Sequence, residues 1–290
     1  HMIATIASET FAMEAVGDLG IALADSGKFD IRLEAAMGKL LNSETGWRVV
    51  DRTMQVRGGR GYETAESLEA RGEAPIPVEQ VMRSMRINRI FEGSSEIMRL
   101  FIAREAVDPH LRKAGAVADP DAGLGAKVKD ALGLGFHMAN WVGRNLVGWS
   151  RKPSYGRFGE LGGHIAFVDR SARRLARSTA LAMVWYGPKL ERHQAVLFRL
   201  VDIAAELYAM SASCIQAKGK LERASEDETP VQLADLFCSQ SRQRVDNLFR
   251  GLFDATDKDA YRLAQGVLAG DYLWLEKGIL EPPAPDGINR

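Results

Sequence analysis

Residues 31–56 read IRLEAAMGKLLNSETGWRVVDRTMQV, and this stretch decides the fold class of the chain. Its apolar side chains recur three or four positions apart, the spacing that places them on one face of an α-helix. They are Leu33, Ala36, Met37, Leu40, Leu41, Trp47, Val50 and Met54. Asp30 offers a cap at the start of this helix, and Gly58, Gly59 and Gly61 predict its end.

The same helical spacing continues along the chain, and no stretch shows the alternation of a strand. The sequence predicts helices over 3–24, 31–56, 78–88, 95–111, 126–149, 161–186, 191–222, 230–253 and 257–268. Residues 114–125 are rich in Ala, Gly, Asp and Pro, which indicates a linker. We therefore predict an all-α protein with one helical bundle at 3–113, a linker at 114–125 and a second helical bundle at 126–290.

Composition excludes several classes of protein. Hydrophobic residues make up 46% and charged residues 26% of the 290 residues, as in ordinary globular proteins. The 38 basic and 38 acidic residues balance, so no global field favours nucleic acid. No apolar run reaches the roughly 18 residues of a membrane span. The two cysteines, Cys214 and Cys238, are predicted to be core residues of a protein in a reducing compartment.

Residues 89–97, RIFEGSSEI, carry the most informative chemistry. Glu92 lies in a break between two predicted helices, beside Ile90 and Phe91. An apolar setting would disfavour the charged form of its carboxyl group and raise its pKa, which suits a general base near neutral pH. By itself, the pattern equally fits an exposed loop glutamate or a partner of the helix cap that the following serines offer.

Two motifs resemble those of acyl-CoA dehydrogenases. Residues 89–97 are similar to the family's Ile-Phe/Tyr-Glu-Gly-Thr-Asn/Ser signature. Residues 55–62, QVRGGRGY, resemble its Gln-x-x-Gly-Gly-x-Gly-Tyr/Phe element. The spacing between the motifs fits the family, as does Arg83 between them. The remainder of the chain, which includes residues 207–210, resembles the C-terminal extension of the very-long-chain branch.

The resemblance implies a catalytic base and a flavin site. In the family, the glutamate matching Glu92 removes the proton α to the thioester carbonyl, FAD accepts a hydride from the β carbon, and a trans-2-enoyl-CoA results. The residue matching Gly93 lines the substrate. The residues matched to FAD contacts are Ser94, Ser95 and Glu96, together with Gln55, Gly58 and Gly59, which face FAD bound mainly by the neighbouring subunit. These two glycines also fit a plain helix C-cap, and both interpretations can hold together.

Three positions depart from the family pattern. Ser94 replaces the usual threonine but keeps the hydroxyl group, and Glu96 stands where many members carry Gln, Asn or Asp. Ser84 follows Arg83 where the family usually has Asp, so a local ion pair is expected to be absent. These departures bear on the fine adjustment of cofactor binding and leave the base in place.

We interpret the chain as a C-terminal fragment, with His1-Met2 set aside as a tag remnant. Nothing in it corresponds to the family's N-terminal helical domain or middle β-barrel domain, and the helix at 3–24 begins without a cap. A natural start close to a helix is the alternative. We therefore expect the fragment alone neither to bind FAD tightly nor to dehydrogenate acyl-CoA. Its uncovered helix faces should favour self-association, most simply as a homodimer.

The resemblance also implies partners and a location for the parent protein. These are an acyl-CoA substrate and an electron-transfer flavoprotein or similar acceptor, in the cytoplasm of a bacterium or the mitochondrion of a eukaryote. No nucleic acid is expected. The histidines show no metal-ligand spacing, so no metal site is assigned; they include His110, His137, His164 and His193.

Two groups of basic residues admit more than one interpretation. Residues 126–152 combine Trp141 and Trp149 with basic side chains, as in a helix that lies on a membrane surface, but these aromatics can also pack in the second bundle. The basic residues there are Lys127, Lys129, Arg144, Arg151 and Lys152. A second group is predicted to share one helix face, solvated or paired across a dimer: Arg170, Arg173, Arg174 and Arg177.

Two classes of function follow from the sequence. The first is the C-terminal part of an acyl-CoA dehydrogenase that acts on long-chain acyl-CoA in fatty acid β-oxidation. The second is a non-catalytic helical module of the same ancestry that acts in assembly. Turnover of a long-chain acyl-CoA by the intact open reading frame, and its loss on Glu92→Gln, would favour the first.

Overall fold

The structure, a computed structural model, describes residues 1–118, 155–224 and 226–276, and every regular element in these ranges is helical. The α-helices are α1 (Met2–Asp25), α2 (Arg32–Arg57), α3 (Gly59–Tyr62), α4 (Ala65–Ala70), α5 (Val78–Ile87), α6 (Ser95–Ala118), α7 (Gly162–Tyr186), α8 (Gln194–Arg223), α9 (Thr229–Arg250) and α10 (Thr256–Ala269). Short 3-10 helices cover Tyr155–Leu161, Gly187–Arg192 and Leu273–Glu276. The predicted all-α fold is confirmed for the described residues.

Helix ends follow the chemistry of their flanking residues. Gly58 ends α2 with a φ of 61°, and its N–H donates to the carbonyl oxygen of Gln55 at 3.2 Å. Gly187 ends α7 and also has a positive φ, of 51°. Glycine adopts this left-handed backbone at little cost because it has no Cβ. At the start of α2, the N-cap position is Ile31 rather than the predicted Asp30, whose carboxylate nevertheless accepts the N–H of Arg32 at 3.2 Å.

Some helical details differ from the prediction. Residues 59–70 form the short helices α3, inside the glycine motif, and α4 after it, and neither is long enough for apolar spacing to indicate. Thr64 caps α4 by accepting the N–H of Ser67 at 3.3 Å. Helix α6 continues to Ala118, past its predicted end at Leu111.

The chain divides into two compact units, residues 1–252 and 253–290. In the second unit the structure describes residues 253–276, which contain α10 and the last 3-10 helix. None of the side chains of α10 is buried within the described chain. Its exposed apolar residues include Leu263, Val267 and Leu268.

Within residues 1–252, helices from both sides of the predicted linker at 114–125 share one core. The core combines α1 (Phe11, Ala12, Ala15, Val16), α8 (Ile203, Leu207, Met210) and α9 (Ala234, Phe237, Val245). Polar contacts accompany it, since Gln216 donates to Asp18 at 2.8 Å and Gln240 donates to Thr5 at 3.1 Å. The sequence left open whether the two regions pack together, and these helices do. The domain boundaries themselves stay an interpretation, because residues 119–125 lie outside the described chain.

A second core fixes α6 against α2 and α8. It contains Ala36 and Leu40 of α2, Ile102 and Ala103 of α6, and Val196, Leu197, Leu200 and Val201 of α8. Because α6 begins directly after the glutamate motif, this packing determines where the motif lies. The later helices therefore support the part of the chain that carries the candidate chemistry.

A buried carboxylate joins α1 to α2. Glu9 is 1% exposed, and its two oxygens face the guanidinium groups of Arg48, at 3.7 Å, and Arg52. Two cations around one buried acid offset its desolvation, which an unpaired carboxylate could not do. These contacts therefore join α1 to α2.

The two cysteines lie in the core, as predicted. Cys214 and Cys238 are fully buried free thiols with their Sγ atoms 3.8 Å apart. The hydrogen bond with Cys214 and burial both raise the pKa of the Cys238 thiol. Tyr208 is half-buried, and burial raises the pKa of its hydroxyl group.

Several predictions fall on residues that the structure does not describe. They include the proposed membrane-surface stretch at 126–152, which contains Trp141 and Trp149. Among the helices of the described residues, none has both the length and the apolar character needed to cross a bilayer.

Candidate active site

Glu92 lies at the tip of a tight turn between α5 and α6, which we call the glutamate turn (residues 88–95). Glu92 has a φ of 51° and Gly93 a φ of 91°, so two successive residues adopt left-handed backbone. The N–H of Ser95 donates to the carbonyl oxygen of Arg89 at 3.1 Å and closes the turn. Left-handed backbone costs a residue with a Cβ about 1 kcal/mol or more, so neighbouring contacts must hold Glu92 in place.

Lys39 of α2 supplies one such set of contacts. Its ammonium group donates to the carbonyl oxygen of Asn88 at 3.0 Å, to that of Phe91 at 3.3 Å, and to that of Gly93. Three carbonyl oxygens that point toward one cation form a stable arrangement, because hydrogen bonds to a charged group are stronger than neutral ones. The lysine therefore fixes the backbone on both sides of Glu92. Lys39 is not among the site residues predicted from the sequence.

Glu44 of α2 holds the two ends of the turn. Its Oε1 accepts a hydrogen bond from Nε of Arg89 at 2.9 Å and another from the hydroxyl group of Ser95. Burial opposes the charged form of Glu44, but the hydrogen bonds from Ser95 and Arg89, with the nearby charges of Arg89 and Arg99, outweigh it and lower the pKa of Glu44. A charged Glu44 thus joins the residue before the turn to the residue after it.

A signal for Glu44 was present in the sequence. Helical spacing places it on the same face as Leu40 and Leu41, four and three positions earlier, and Trp47, three positions later. A charged residue on an otherwise apolar face requires a partner, because burying an unpaired charge is costly. The partner residues lie 45 and 51 positions later in the chain, so spacing alone could not name them.

Glu92 itself does not have the expected apolar setting. Its side chain is exposed, and its neighbours Ile90 and Phe91 are 52% and 44% exposed. The interpretation that these neighbours desolvate the carboxylate is therefore wrong for this chain. They point apolar surface outward around the carboxylate, so a desolvating environment would have to come from whatever covers this face.

The residues predicted to contact FAD fall into two groups. Gln55, Gly58 and Gly59 are exposed at the end of α2, and a Cβ built on either glycine would meet no atom within 4 Å. That open backbone fits close approach by a phosphate group, and the C-cap interpretation of Gly58 holds as well. By contrast, Gly61 has a packing role, because a Cβ there would lie 2.7 Å from the carbonyl oxygen of Met54.

The second group follows Glu92 and is only partly available to a ligand. The hydroxyl group of Ser94 accepts the N–H of Ile97 at 3.4 Å and caps α6, and Ser94 stays half-buried. Glu96 is exposed in the first turn of the helix. Ser95 is 1% exposed with its hydroxyl group committed to Glu44, so its side chain fits a role in holding the turn better than one in touching a cofactor. Its assignment to FAD remains a prediction.

An open groove brings the neighbourhoods of the two motifs together. It has a volume of about 650 Å³ and runs between α2, α3 and α5. The side chains that line it include Trp47, Met54, Tyr62, Arg86 and Ile90. The guanidinium group of Arg86 lies 5.8 Å from the Trp47 ring centroid, a cation–π contact. Tyr62 belongs to the first motif and Ile90 to the second, so the motifs meet along one face of the fold.

Basic residues singled out in the sequence have partners within the chain. Arg83 pairs with Glu79 at 3.1 Å, one helical turn earlier, so an ion pair exists although Ser84 does not provide it. In the basic group on α7, Arg173 pairs with Asp169. Arg174 lies 4.1 Å from the ring centroid of Phe249. These two arginines therefore have contacts within their own chain and do not depend on a dimer partner for them.

Two family models match the chain. Residues 1–107 match "Acyl-CoA dehydrogenase, C-terminal domain", and residues 160–269 match "ACAD9/ACADV, C-terminal domain". The first match contains both motifs and the glutamate turn. The second contains α8 and α9, which share a core with α1.

Similar proteins carry names from the same family. "Probable acyl-CoA dehydrogenase FadE10" of Mycobacterium tuberculosis is 50% identical over 281 residues, which is 96% of this chain and 43% of that protein. The human "Very long-chain specific acyl-CoA dehydrogenase, mitochondrial" is 31% identical over 236 residues, 76% of this chain and 32% of that protein. The chain thus spans less than half the length of either relative.

A solved structure shows the same fold. It is titled "Crystal Structure of Acyl-CoA Dehydrogenase complexed with FAD from Bacillus anthracis", with a TM-score of 0.58 over 85% of this chain and 40% of that one. Sequence identity is 20%, so the likeness concerns the fold alone.

Proposed function

We propose that this chain, which belongs to the acyl-CoA dehydrogenase family through residues 1–107 and 160–269, is the C-terminal part of a flavin-dependent dehydrogenase of long-chain acyl-CoA. The reaction is α,β-dehydrogenation to a trans-2-enoyl-CoA, as in fatty acid β-oxidation. The observation that carries the proposal is Glu92, an exposed carboxylate at the tip of a turn that Lys39 and Glu44 hold from behind.

In this proposal Glu92 is the general base. Its carboxylate takes the proton from the carbon α to the thioester carbonyl, and FAD, when bound, accepts the hydride from the β carbon. A base in this reaction must sit at a fixed position relative to the substrate, because misplacement by even an ångström is costly in rate. The left-handed backbone at Glu92, fixed by contacts on both sides, provides such a position.

Other residues of the chain would bind and orient. Gly93 lies beside the base with a φ of 91°, and Sδ of Met98 would lie 2.6 Å from a Cβ there, so in this proposal Gly93 lines the substrate through its backbone. Gln55, Gly58 and Gly59 present an exposed, open surface to FAD held mainly by a neighbouring subunit, and Ser94 and Glu96 line the side next to the base. Ser95 would not contact the ligand but would help to hold the glutamate turn through its hydrogen bond to Glu44.

Because residues of one subunit contact FAD held by another in this proposal, the protein is a homodimer or higher oligomer. The flavin-facing residues of one subunit then complete the site of another, and an electron-transfer flavoprotein or similar acceptor reoxidises the flavin. The exposed apolar residues around the glutamate turn support such a covered state. They include Tyr62 (75% exposed), Ile87 (46%), Ile90 (52%) and Ile97 (57%).

The chain alone should be inactive. Glu92 is open to solvent within the described chain, and the residues matched to FAD, apart from the buried Ser95, are exposed or half-buried. Purification of the 290-residue chain should therefore give a protein without stoichiometric flavin absorbance. A yellow protein that contains one FAD per chain would contradict this part of the proposal.

The intact open reading frame tests the activity. Purified with its flavin, it should oxidise a long-chain acyl-CoA in the presence of an artificial electron acceptor, with the trans-2-enoyl product identified by mass. A series of acyl lengths establishes the preferred substrate. A flavin-loaded protein that oxidises no acyl-CoA of any length would refute the proposal.

A second candidate is a non-catalytic helical module that acts in assembly. The exposed apolar residues at the start of the chain favour it: Ile3 is 69% exposed, Ile21 62% and Phe29 62%. Both candidates predict self-association, so oligomeric state does not separate them. Flavin binding and turnover by the intact protein do, because an assembly module would show neither.

A further inference from the structure

A cavity of about 320 Å³ lies beside Glu44, the residue that holds the glutamate turn. It is lined by residues of α2, α6, α8 and α9, all within residues 1–252. Six charged side chains line it: Glu44, Arg48, Arg99, Asp202, Glu206 and Arg244. The cavity therefore joins Glu44, which holds the turn, to helices that belong to the second family match.

Arg99 is the link between the two regions. It lies on α6, one helical turn after Ser95, and its Nε donates to Oδ1 of Asp202 on α8 at 2.8 Å. The ring centroid of Phe198, one turn earlier on α8, lies 5.7 Å from its guanidinium carbon. Its side chain is 17% exposed, so α8 holds the cation between a carboxylate and an aromatic ring.

Arg99 also faces Glu44. Its charge contributes to lowering the pKa of Glu44, where the hydrogen bonds of Ser95 and Arg89 have the larger effect. Burial raises the pKa of Asp202, the charge of Arg99 lowers it, and the nearby charges of Glu44 and Glu206 raise it further, so that the net shift is upward. The positive charge of Arg99 thus stabilises the charged forms of both Glu44 and Asp202, whose negative charges repel each other.

We infer that Asp202 is a positioning residue for Glu92, because it holds Arg99 on α8 and so leaves Glu44 free to hold both ends of the glutamate turn. The part of this inference that concerns catalysis rests on the proposed function. The part that concerns the turn does not, since it involves only contacts within this chain. The helices of the second family match then act on the base without touching substrate.

The physical argument is competition for one carboxylate. A guanidinium group whose partner is removed inside a cavity seeks another acceptor, because a buried unpaired charge is costly. Glu44 lines the same cavity and is already charged. If Arg99 turns to Glu44, it competes with Arg89 and with the hydroxyl group of Ser95. The turn then loses the contact that joins its two ends.

Amide hydrogen exchange of the 290-residue chain tests this directly. In Asp202→Asn, peptides that cover residues 89–97 should exchange about tenfold faster, the size expected when one hydrogen bond to a charged group is weakened. Glu206→Gln is the matched control. Glu206 lies one turn later on α8 and lines the same cavity, but it pairs with Arg244 of α9 at 2.7 and 3.0 Å. Its replacement should loosen α9 and leave residues 89–97 unchanged.

A double variant separates competition from simple loss of packing. Arg99→Gln combined with Asp202→Asn removes the competing cation, so residues 89–97 should regain wild-type protection. Protection that stays low in the double variant would refute the competition, as would unchanged exchange in Asp202→Asn. Should Asp202→Asn fail to fold, Phe198→Leu removes the ring beneath Arg99 and keeps both charges. It should raise exchange at the same peptides by a smaller factor, and no increase there would also overturn the inference.

The intact protein shows whether the effect reaches catalysis. Asp202→Asn should lower kcat about tenfold with little change in KM, because a misplaced base slows the proton transfer and leaves binding intact. Asp202→Glu should restore most of the loss. If the intact wild-type protein is inactive, the proposed function fails while the exchange result still stands. If it is active and Asp202→Asn leaves both kcat and exchange unchanged, only the inference about Asp202 fails.

Discussion

Lys39 and Asn88, 49 positions apart in the chain, meet at 3.0 Å, where the lysine ammonium group donates to the asparagine carbonyl oxygen. The same ammonium group reaches the carbonyl oxygens on either side of Glu92. The turn that presents Glu92 is therefore held from α2 by a lysine that itself need not touch any substrate.

Lys39→Met should destabilise the protein. The variant leaves three carbonyl oxygens without their cation, and we expect the free energy of unfolding to fall by about 1–3 kcal/mol. Urea denaturation of the 290-residue chain measures this. Lys218→Met serves as the control, because Lys218 pairs with Glu222 one turn away on the surface. Equal losses in the two variants would show that the contacts of Lys39 contribute no more than a surface pair.

The backbone at Glu92 gives a second prediction. With a φ of 51°, a residue that has a Cβ is strained, so Glu92→Gly should be more stable than Glu92→Ala by about 1 kcal/mol. Thermal unfolding of the two variants measures the difference. At Glu96, in the first turn of α6, the order should reverse, because alanine is favoured in a helix. An alanine variant at Glu92 as stable as the glycine variant would mean that the left-handed backbone is not retained.

Stability should depend on pH through Glu44. Its pKa in the folded protein lies below its ordinary value of 4.5, so the unfolded chain binds more protons in this range. The contribution of Glu44 is therefore present above about pH 4.5 and is lost as the pH falls below it. The difference in unfolding free energy between wild type and Glu44→Gln should shrink on acidification from pH 6 to about pH 3.5. A difference that stays constant across this range would contradict the assignment.

The buried carboxylate of Glu9 should be the most costly acid to remove from α1. Glu9→Gln leaves Arg48 and Arg52 without their shared partner, and we expect a loss of about 2–3 kcal/mol, below the value for fully buried pairs because both arginines are partly exposed. Glu14→Gln is the control on the same helix. Glu14 is 53% exposed in its pair with Lys220, so its loss should be at most about 0.5 kcal/mol. Denaturant midpoints that do not differ between the two variants would refute the ranking.

The helices were predictable because they depend on local spacing. Residues such as Leu40, Leu41 and Trp47 identify α2, and Gly58 and Gly187 mark helix ends by the backbone that only glycine adopts cheaply. The short helices α3 and α4 were missed because four and six residues cannot show a period of 3.6.

The position of the candidate base was predictable, but its surroundings were not. The resemblance of two motifs to a known family selected Glu92, whereas Ile90 and Phe91 suggested an apolar pocket that the described residues do not form. Whether apolar residues cover a carboxylate depends on tertiary contacts rather than on their being next to it in the sequence. Ser95 illustrates the same point, since its burial against Glu44 follows from the packing of α6 on α2, far apart in sequence.

The central claim is that Glu92 removes the α proton of an acyl-CoA in the intact protein. The most direct measurement is the rate at which a long-chain acyl-CoA bleaches the flavin absorbance in a single turnover, for wild type, Glu92→Gln and Glu96→Gln. We expect Glu92→Gln to retain its flavin and bind substrate but bleach at least about a thousandfold more slowly, within the range for loss of a general base. Glu96→Gln should bleach at close to the wild-type rate. Bleaching of Glu92→Gln at the wild-type rate would contradict the claim.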